Sequence, residues 1–199
     1  MNGVPVENHK PIQIDIPKIF YSDTTGSYLE RCIGCDERLL DGDANYLIEK
    51  AFKSYQGLDS YSTIFEYAMC LPCVNRMHQT LSGESRVNIG AYFQKHAHAS
   101  PRFVSSDQPP SDIRPWLEHC ILTNESASQT SEFQIYGHCQ GSRMIIDGYP
   151  FMISGKATDD LIGLISAKTL DQLQNFTDQL VGGPSEFADI LKTRPTILL

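Results

Sequence analysis

The sequence predicts an α+β fold in which one unit, a tight turn followed by a hairpin and a helix, occurs twice. Three observations predict it. Two Cys-x-x-Cys pairs, Cys32/Cys35 and Cys70/Cys73, bracket strand-like runs that give way to a helical pattern. The stretch around the first pair has an imperfect echo 88 residues further on, where Cys120 falls on Cys32. A proline- and serine-rich segment at 100–115 separates the two occurrences.

Composition sets the frame for these features. The 199 residues (22.3 kDa) are 41% hydrophobic and 20% charged, ordinary values for a globular chain able to bury one medium core or two small ones. A net charge of -8 and a pI near 5.1 exclude bulk electrostatic attraction to nucleic acid or anionic membrane as the main business of the protein. No apolar run approaches the roughly 18–20 residues that span a bilayer. Residues 1–10 lack a charged-then-apolar leader pattern, so a cytoplasmic location is expected.

Residues 1–27 read as an extended arm. Pro5, Pro11 and Pro17 forbid helix, and Ile12, Ile14, Ile16 and Ile19 offer an apolar edge for docking on the same chain or on a neighbouring subunit. The first half, 28–99, begins with Cys32-Ile-Gly-Cys35, whose two-residue gap lets both sulfurs turn toward one point; Gly34 is expected to take the positive φ of that turn. Residues 45–53 and 62–69 read as a hairpin, with Phe65, Tyr67 and Met69 alternating against Ile64, Glu66 and Ala68. Beyond Cys70 the period becomes helical through Val74, Met77 and Leu81, and Pro72 sits where a first-turn proline is tolerated. Cys70 and Cys73 thus fall at a helix start, whose partial positive charge favours thiolate.

Four thiolates from two such pairs, with 34 residues between them, are the donor set of a closed tetrahedral zinc site. A thioredoxin-like redox motif works as a single pair, and disulfides belong to an oxidising compartment that no leader supports. Iron in the same four-sulfur site is left open by ligand type alone. Zinc bound by Cys32, Cys35, Cys70 and Cys73 would have no open position for water and would be structural. Replacing Cys73 with Ser is expected to unfold the first half and spare the second.

The order of turn, hairpin and helix, with cysteines on the turn and at the helix start, resembles the treble-clef group of zinc fingers over about residues 28–82. That resemblance implies a fold and one structural zinc. Its members bind proteins, bind nucleic acid or cleave DNA, so it implies no single role. The His-Asn-His nucleases of this group carry a histidine in or just before the first hairpin strand; 45–53 has none, which argues against nuclease chemistry.

The echo extends beyond one cysteine. Tyr28-Leu-Glu-Arg-Cys-Ile-Gly-Cys-Asp-Glu37 lies over Trp116-Leu-Glu-His-Cys-Ile-Leu-Thr-Asn-Glu125, with Thr123 in the place of Cys35. Strand-like runs follow at 132–139 and 143–154. An offset of 84 then aligns Leu81-Ser82 with Ile165-Ser166 and sets Cys70 and Cys73 on Ser154 and Ala157. The second half, 116–199, is therefore expected to be a degenerate, metal-free version of the first. Met144, Ile145, Ile146, Phe151, Met152 and Ile153 would hold its hairpin by packing. Helices are expected at 158–166 and 169–181, the latter opened by a Thr169/Gln172 capping box and closed by Gly182-Gly183-Pro184.

Other candidate sites are weaker. His78, His96 and His98 read as surface or helix-end residues. His119-Cys120 and His138-Cys139 are adjacent pairs whose side chains diverge, so buried free cysteines are the simpler reading. Asp159-Asp160 reads as helix-dipole complement. Arg31, Arg38, Lys50, Lys53, Arg76 and Arg86 could touch phosphates, yet 1–99 carries 9 basic against 12 acidic residues and 100–199 carries 7 against 12. A mixed solvated face is expected. No nucleophile elbow, phosphate loop or zinc-protease helix occurs. The expected function is a non-catalytic, zinc-stabilised protein-interaction or self-assembly module. A nucleic-acid-binding zinc protein is the alternative, and a hydrolase or nuclease with an unrecognised site comes third.

Overall fold

The computed structural model describes residues 11–55, 60–97 and 110–180. Strand β2 (Asn45–Ser54) is buried at every position from Tyr46 to Phe52, far beyond the alternation of a strand wet on one side. The reason is its central place. It pairs on one side with β3 (Tyr61–Cys70) and on the other, antiparallel, with β4 (Glu132–Gln140), in a register running from Asn45↔Gln140 to Lys53↔Glu132. Strands β1 (Ile12–Asp15), β5 (Arg143–Ile146) and β6 (Phe151–Ser154) complete one six-stranded sheet of order β1-β5-β4-β2-β3, with β6 paired to β4 beside β5. The two expected hairpins thus share one sheet.

Helices α1 (Leu71–Thr80) and α2 (Gly83–His96) follow β3; α3 (Gly155–Gly163) and α4 (Ala167–Leu180) follow β6. From α3, Thr158 Oγ1 reaches Gln134 Oε1 on β4 at 3.3 Å. The residues before β2 cross the sheet instead: Phe20 lies so close to Gly137 that a Cβ there would meet its ring at 3.0 Å. Among the described residues no helix is long and apolar enough to cross a membrane.

The same local contacts recur in both halves. Cys32 N–H bonds Glu37 O and Cys120 N–H bonds Glu125 O, each at 2.9 Å. Ile33 N–H reaches Ala68 O on β3 at 2.9 Å, and Ile121 N–H reaches Met152 O on β6 at 3.0 Å. The left-handed residue of each turn is Asp36 (φ 59°) or Asn124 (φ 57°). Gly34, expected to fill that role, does not. Both side chains are of the short polar kind that tolerates this conformation. Tyr46 pairs with Cys70, the last residue before α1, and Phe133 with Ser154, the last before α3.

The helix starts meet reciprocally. Ser82 Oγ caps α2 by accepting from Ser85 N–H at 3.1 Å, and Ser166 Oγ accepts from Thr169 N–H at 3.3 Å. Ser82 N–H donates to Thr169 Oγ1 at 3.0 Å, while Ser166 N–H donates to Ser85 Oγ at 3.1 Å. Each pair of hydroxyls therefore satisfies donors that a buried helix start would otherwise leave unpaired.

Several expectations shift. Ser166, and not Thr169, caps α4. Helix α3 begins at Gly155 because Ser154 Oγ accepts from Ala157 N–H at 3.4 Å. The run 143–154 divides into β5 and β6, with Gly148 left-handed (φ 109°) between them. The isoleucine-rich arm docks on its own chain, Ile12–Asp15 pairing with Arg143–Ile146. Most of the 100–115 linker, His98, the first ten residues and the Gly182-Gly183-Pro184 stop lie outside the described residues.

Candidate metal centre

The first Cys-x-x-Cys sits on the turn before β2, hereafter the knuckle, and the second spans the end of β3 and the first turn of α1. Ile33 N–H bonding Ala68 O docks the knuckle beside β3, so the two pairs converge. The four Sγ atoms all lie within 4.8 Å of one another, and among the described residues they form the one such group of His, Cys, Asp and Glu side chains. Cys32 Sγ is 3.6 Å and Cys35 Sγ 3.7 Å from Cys70 Sγ. A tetrahedron of Zn–S bonds of about 2.3 Å has sulfur–sulfur edges of about 3.8 Å. The thiols are positioned to hold a metal ion.

Backbone groups prepare the site. Gly34 N–H and Cys70 N–H each point at Cys32 Sγ at 3.3 Å. Burial works to raise the Cys32 thiol, but these two donors and the neighbouring thiols outweigh it and hold it below its ordinary range. Burial pushes the Cys70 thiol up. Four adjacent sulfurs ionise together only beside a cation. Cys32, Cys70 and Cys73 are buried, whereas Cys35 is exposed, so one corner of the cluster meets solvent. Arg76, one turn along α1, donates from Nη2 to Cys73 Sγ at 2.7 Å. Its place three residues after Cys73 is the helical spacing that brings the two together.

The other sequence candidates scatter. Cys120 and Cys139 are buried and free. His138 Nδ1 contacts Asp147 Oδ2 at 2.7 Å, and its ring meets Tyr149 edge-on. Arg31 pairs with Asp36 at 2.9 Å and Arg38 with Asp41 at 3.0 Å. Lys50, expected on a solvated face, is 1% exposed. Its Nζ donates to Tyr21 O at 2.6 Å and lies 2.9 Å from both Asp23 Oδ1 and Glu66 Oε2, fastening the arm to the sheet.

Beside Lys50, Glu49 is fully buried and bonded by the hydroxyls of Tyr67 and Tyr136. Burial raises its carboxyl to about 7. Tyr136 also reaches Gln134 Oε1 at 2.7 Å, and Gln134 is bonded by Thr158. Sequence reading missed this network because Glu49 alternates like any half-exposed strand residue. The clue was the apolar run Tyr46–Ile48 before Glu49-Lys50 and the pair Ala51-Phe52 after it.

Comparison with protein-family models, with curated proteins and with solved structures finds no match to this chain.

Proposed function

We propose that this protein is a non-catalytic, zinc-stabilised module for protein interaction or assembly, acting in the cytoplasm. Zinc is held by Cys32, Cys35, Cys70 and Cys73 in a treble-clef-type unit spanning 28–99. Residues 116–199 are a second, degenerate unit without metal, joined by the 100–115 linker and preceded by the 1–27 arm. The observation that carries the reading is the closed four-thiol cluster. Its donors fill every tetrahedral position, so the metal clamps the knuckle to α1 and has no place for a substrate or an attacking water.

The state of the basic residues favours a protein partner over nucleic acid. Arg31 and Arg38 form exposed pairs with aspartates, Arg76 lies on Cys73, and Lys50 is buried against Asp23 and Glu66. With 9 basic against 12 acidic residues in 1–99, the first half offers no broad cationic face for phosphates. Strand β3 is outermost in the sheet, and Tyr55 (42% exposed) and Tyr61 (52%) stand at the loop end of its hairpin. Tyrosine at the loop end of the last strand, away from the knuckle docked at Ala68, suits recognition of an extended peptide.

Purification from the native source tests this. Stoichiometric zinc, a co-purifying protein or a self-assembled species of defined mass, and an absorbance ratio free of nucleic acid are expected. Salt-sensitive nucleic acid retained through purification would favour the alternative. Absence of metal from reduced, freshly isolated protein would remove the premise.

A further inference from the structure

At the second knuckle a hydroxyl pair stands where the first has sulfurs. Cys120, 1% exposed, accepts from Leu122 N–H and Thr123 N–H, both at 3.4 Å, as Cys32 accepts from Gly34 N–H. Thr123 stands where the first half has Cys35, and Ser154, which ends β6 and caps α3, stands where it has Cys70. Ala157 occupies the place of Cys73 in the first helical turn. Thr123 Oγ1 and Ser154 Oγ are 3.1 Å apart, tying knuckle to helix start along the line that a metal would bridge.

Exposure follows the same pattern in both places. Ser154 and Ala157 are fully buried, as Cys70 and Cys73 nearly are, while Thr123 is the outermost of its set, as Cys35 is. Serine and threonine differ from cysteine chiefly in the donor atom, and the hard hydroxyl is a poor ligand for a soft-tolerant cation at neutral pH. What separates this pocket from a four-thiol set is two oxygens in place of sulfur, one threonine methyl and one missing sulfur at Ala157.

We infer that Cys120, Thr123, Ser154 and Ala157 line a latent tetrahedral metal site, and that T123C, S154C and A157C together suffice to make it bind a divalent cation of the zinc class. This rests on the two-unit reading above. The surroundings supply what such a site needs: inward-facing N–H donors on Cys120, a helix start behind Ser154, and exclusion of water from three of the four positions.

Cobalt(II) titration of the reduced full chain tests the inference through the thiolate charge-transfer and tetrahedral d–d absorption. Wild type is expected to bind one equivalent and the triple variant two. The T123C/S154C double variant leaves Ala157 and its packing untouched, and should bind its second equivalent more weakly through three thiolates. Binding of no extra cobalt by folded variants would overturn the inference. So would failure of both variants to fold, since the double variant adds no heavy atom to the pocket. Failure of the first centre is separately visible: wild type would bind none, and the triple variant one.

Discussion

The two knuckles share a backbone and differ in what fastens them. In the first, four thiols converge on one point; in the second, Thr123 and Ser154 make a single hydroxyl contact. Structural zinc contributes about 10–16 kcal/mol and a neutral hydrogen bond about 0.5–1.5. The second half offsets the difference by packing. Met144, Met152, Ile153 and Ala157 are completely buried, and β1 covers the outer edge of β5. Strand β3, which the matching of Cys70 with Ser154 sets against β6, is the last strand of the sheet. The thiol cluster stands where the knuckle docks on this last strand at Ala68. The comparison shows that the same turn geometry occurs once with four thiols positioned for a metal and once with a hydroxyl pair and dense apolar packing.

The largest effect should come from breaking the strong clamp. Chelation, or Cys73→Ser, should remove most of about 10–16 kcal/mol. Cys120→Ser in the other knuckle should cost about 1–3 kcal/mol. The sequence alone implied that the second half survives loss of zinc. The shared sheet changes that expectation, because β2 pairs with β4 along its whole length. One cooperative transition, seen together by far-UV dichroism and by fluorescence of Trp116 in the second half, is expected on metal removal. Two separate transitions would restore the independent-halves view.

Next in size are the two positions where the arm crosses the sheet. Counting back from Cys70 and Ser154 through their strand partners sets Lys50 opposite Gly137 in the two-unit comparison. Lys50→Met should destabilise by about 1–3 kcal/mol, since it leaves the half-buried Glu66 and the Tyr21 carbonyl without their donor. Gly137→Ala should cost about 1–3 kcal/mol, because the new Cβ would lie 2.8 Å from Met144 Cε and 3.0 Å from the Phe20 ring. Urea unfolding gives the magnitudes, and faster proteolysis within residues 11–27 would show that the arm is what loosens.

The same counting matches Glu49 with Tyr136, which are also direct strand partners. Glu49 is protonated to about pH 7 when folded, against an ordinary 4.5. Its contribution is therefore fully present below pH 4.5 and is lost as pH rises through 7, a change of about 3 kcal/mol. Metal binding runs the opposite way, since thiols release protons to bind. The difference between wild type and Glu49→Gln isolates the carboxyl: the advantage of wild type should shrink from pH 5 to pH 8. A constant difference would mean that Glu49 ionises as an ordinary carboxylate. The smallest effect is Thr123→Val, about 1 kcal/mol from loss of the hydroxyl contact, read as a shift in the urea midpoint with an unchanged slope.

Local chemistry was legible in the sequence and long-range pairing was not. The Cys-x-x-Cys spacing located the thiol cluster because ligand geometry is set within two residues and by a helix start. Strand positions followed from alternation, and β2 and β3 fall within a residue of expectation. The pairing of β2 with β4 left no trace, since nothing in a strand's own pattern names its second neighbour. Glu49 and Lys50 were misjudged for that reason: polarity normally marks the wet face, and here both faces are covered. The cap at Ser166 was missed because Thr169 satisfied the same residue-type rule three positions later, and only the encounter of α2 with α4 distinguishes them.

Strand β1 bears on how the chain is made. Its partner residues, Arg143 to Ile146, lie some 130 positions downstream of Ile12 to Asp15. At about 5–20 residues per second of synthesis, the arm waits roughly 7–26 s before β5 exists for it to join. The isoleucines of the arm are apolar throughout that interval, while Asp23 can already meet Lys50 and Glu66 after residue 66 emerges. The Lys50 contacts with Tyr21, Asp23 and Glu66 close a much shorter stretch of chain than the pairing of β1 with β5, so of the arm's two attachments the buried lysine carries the smaller loop-closure cost.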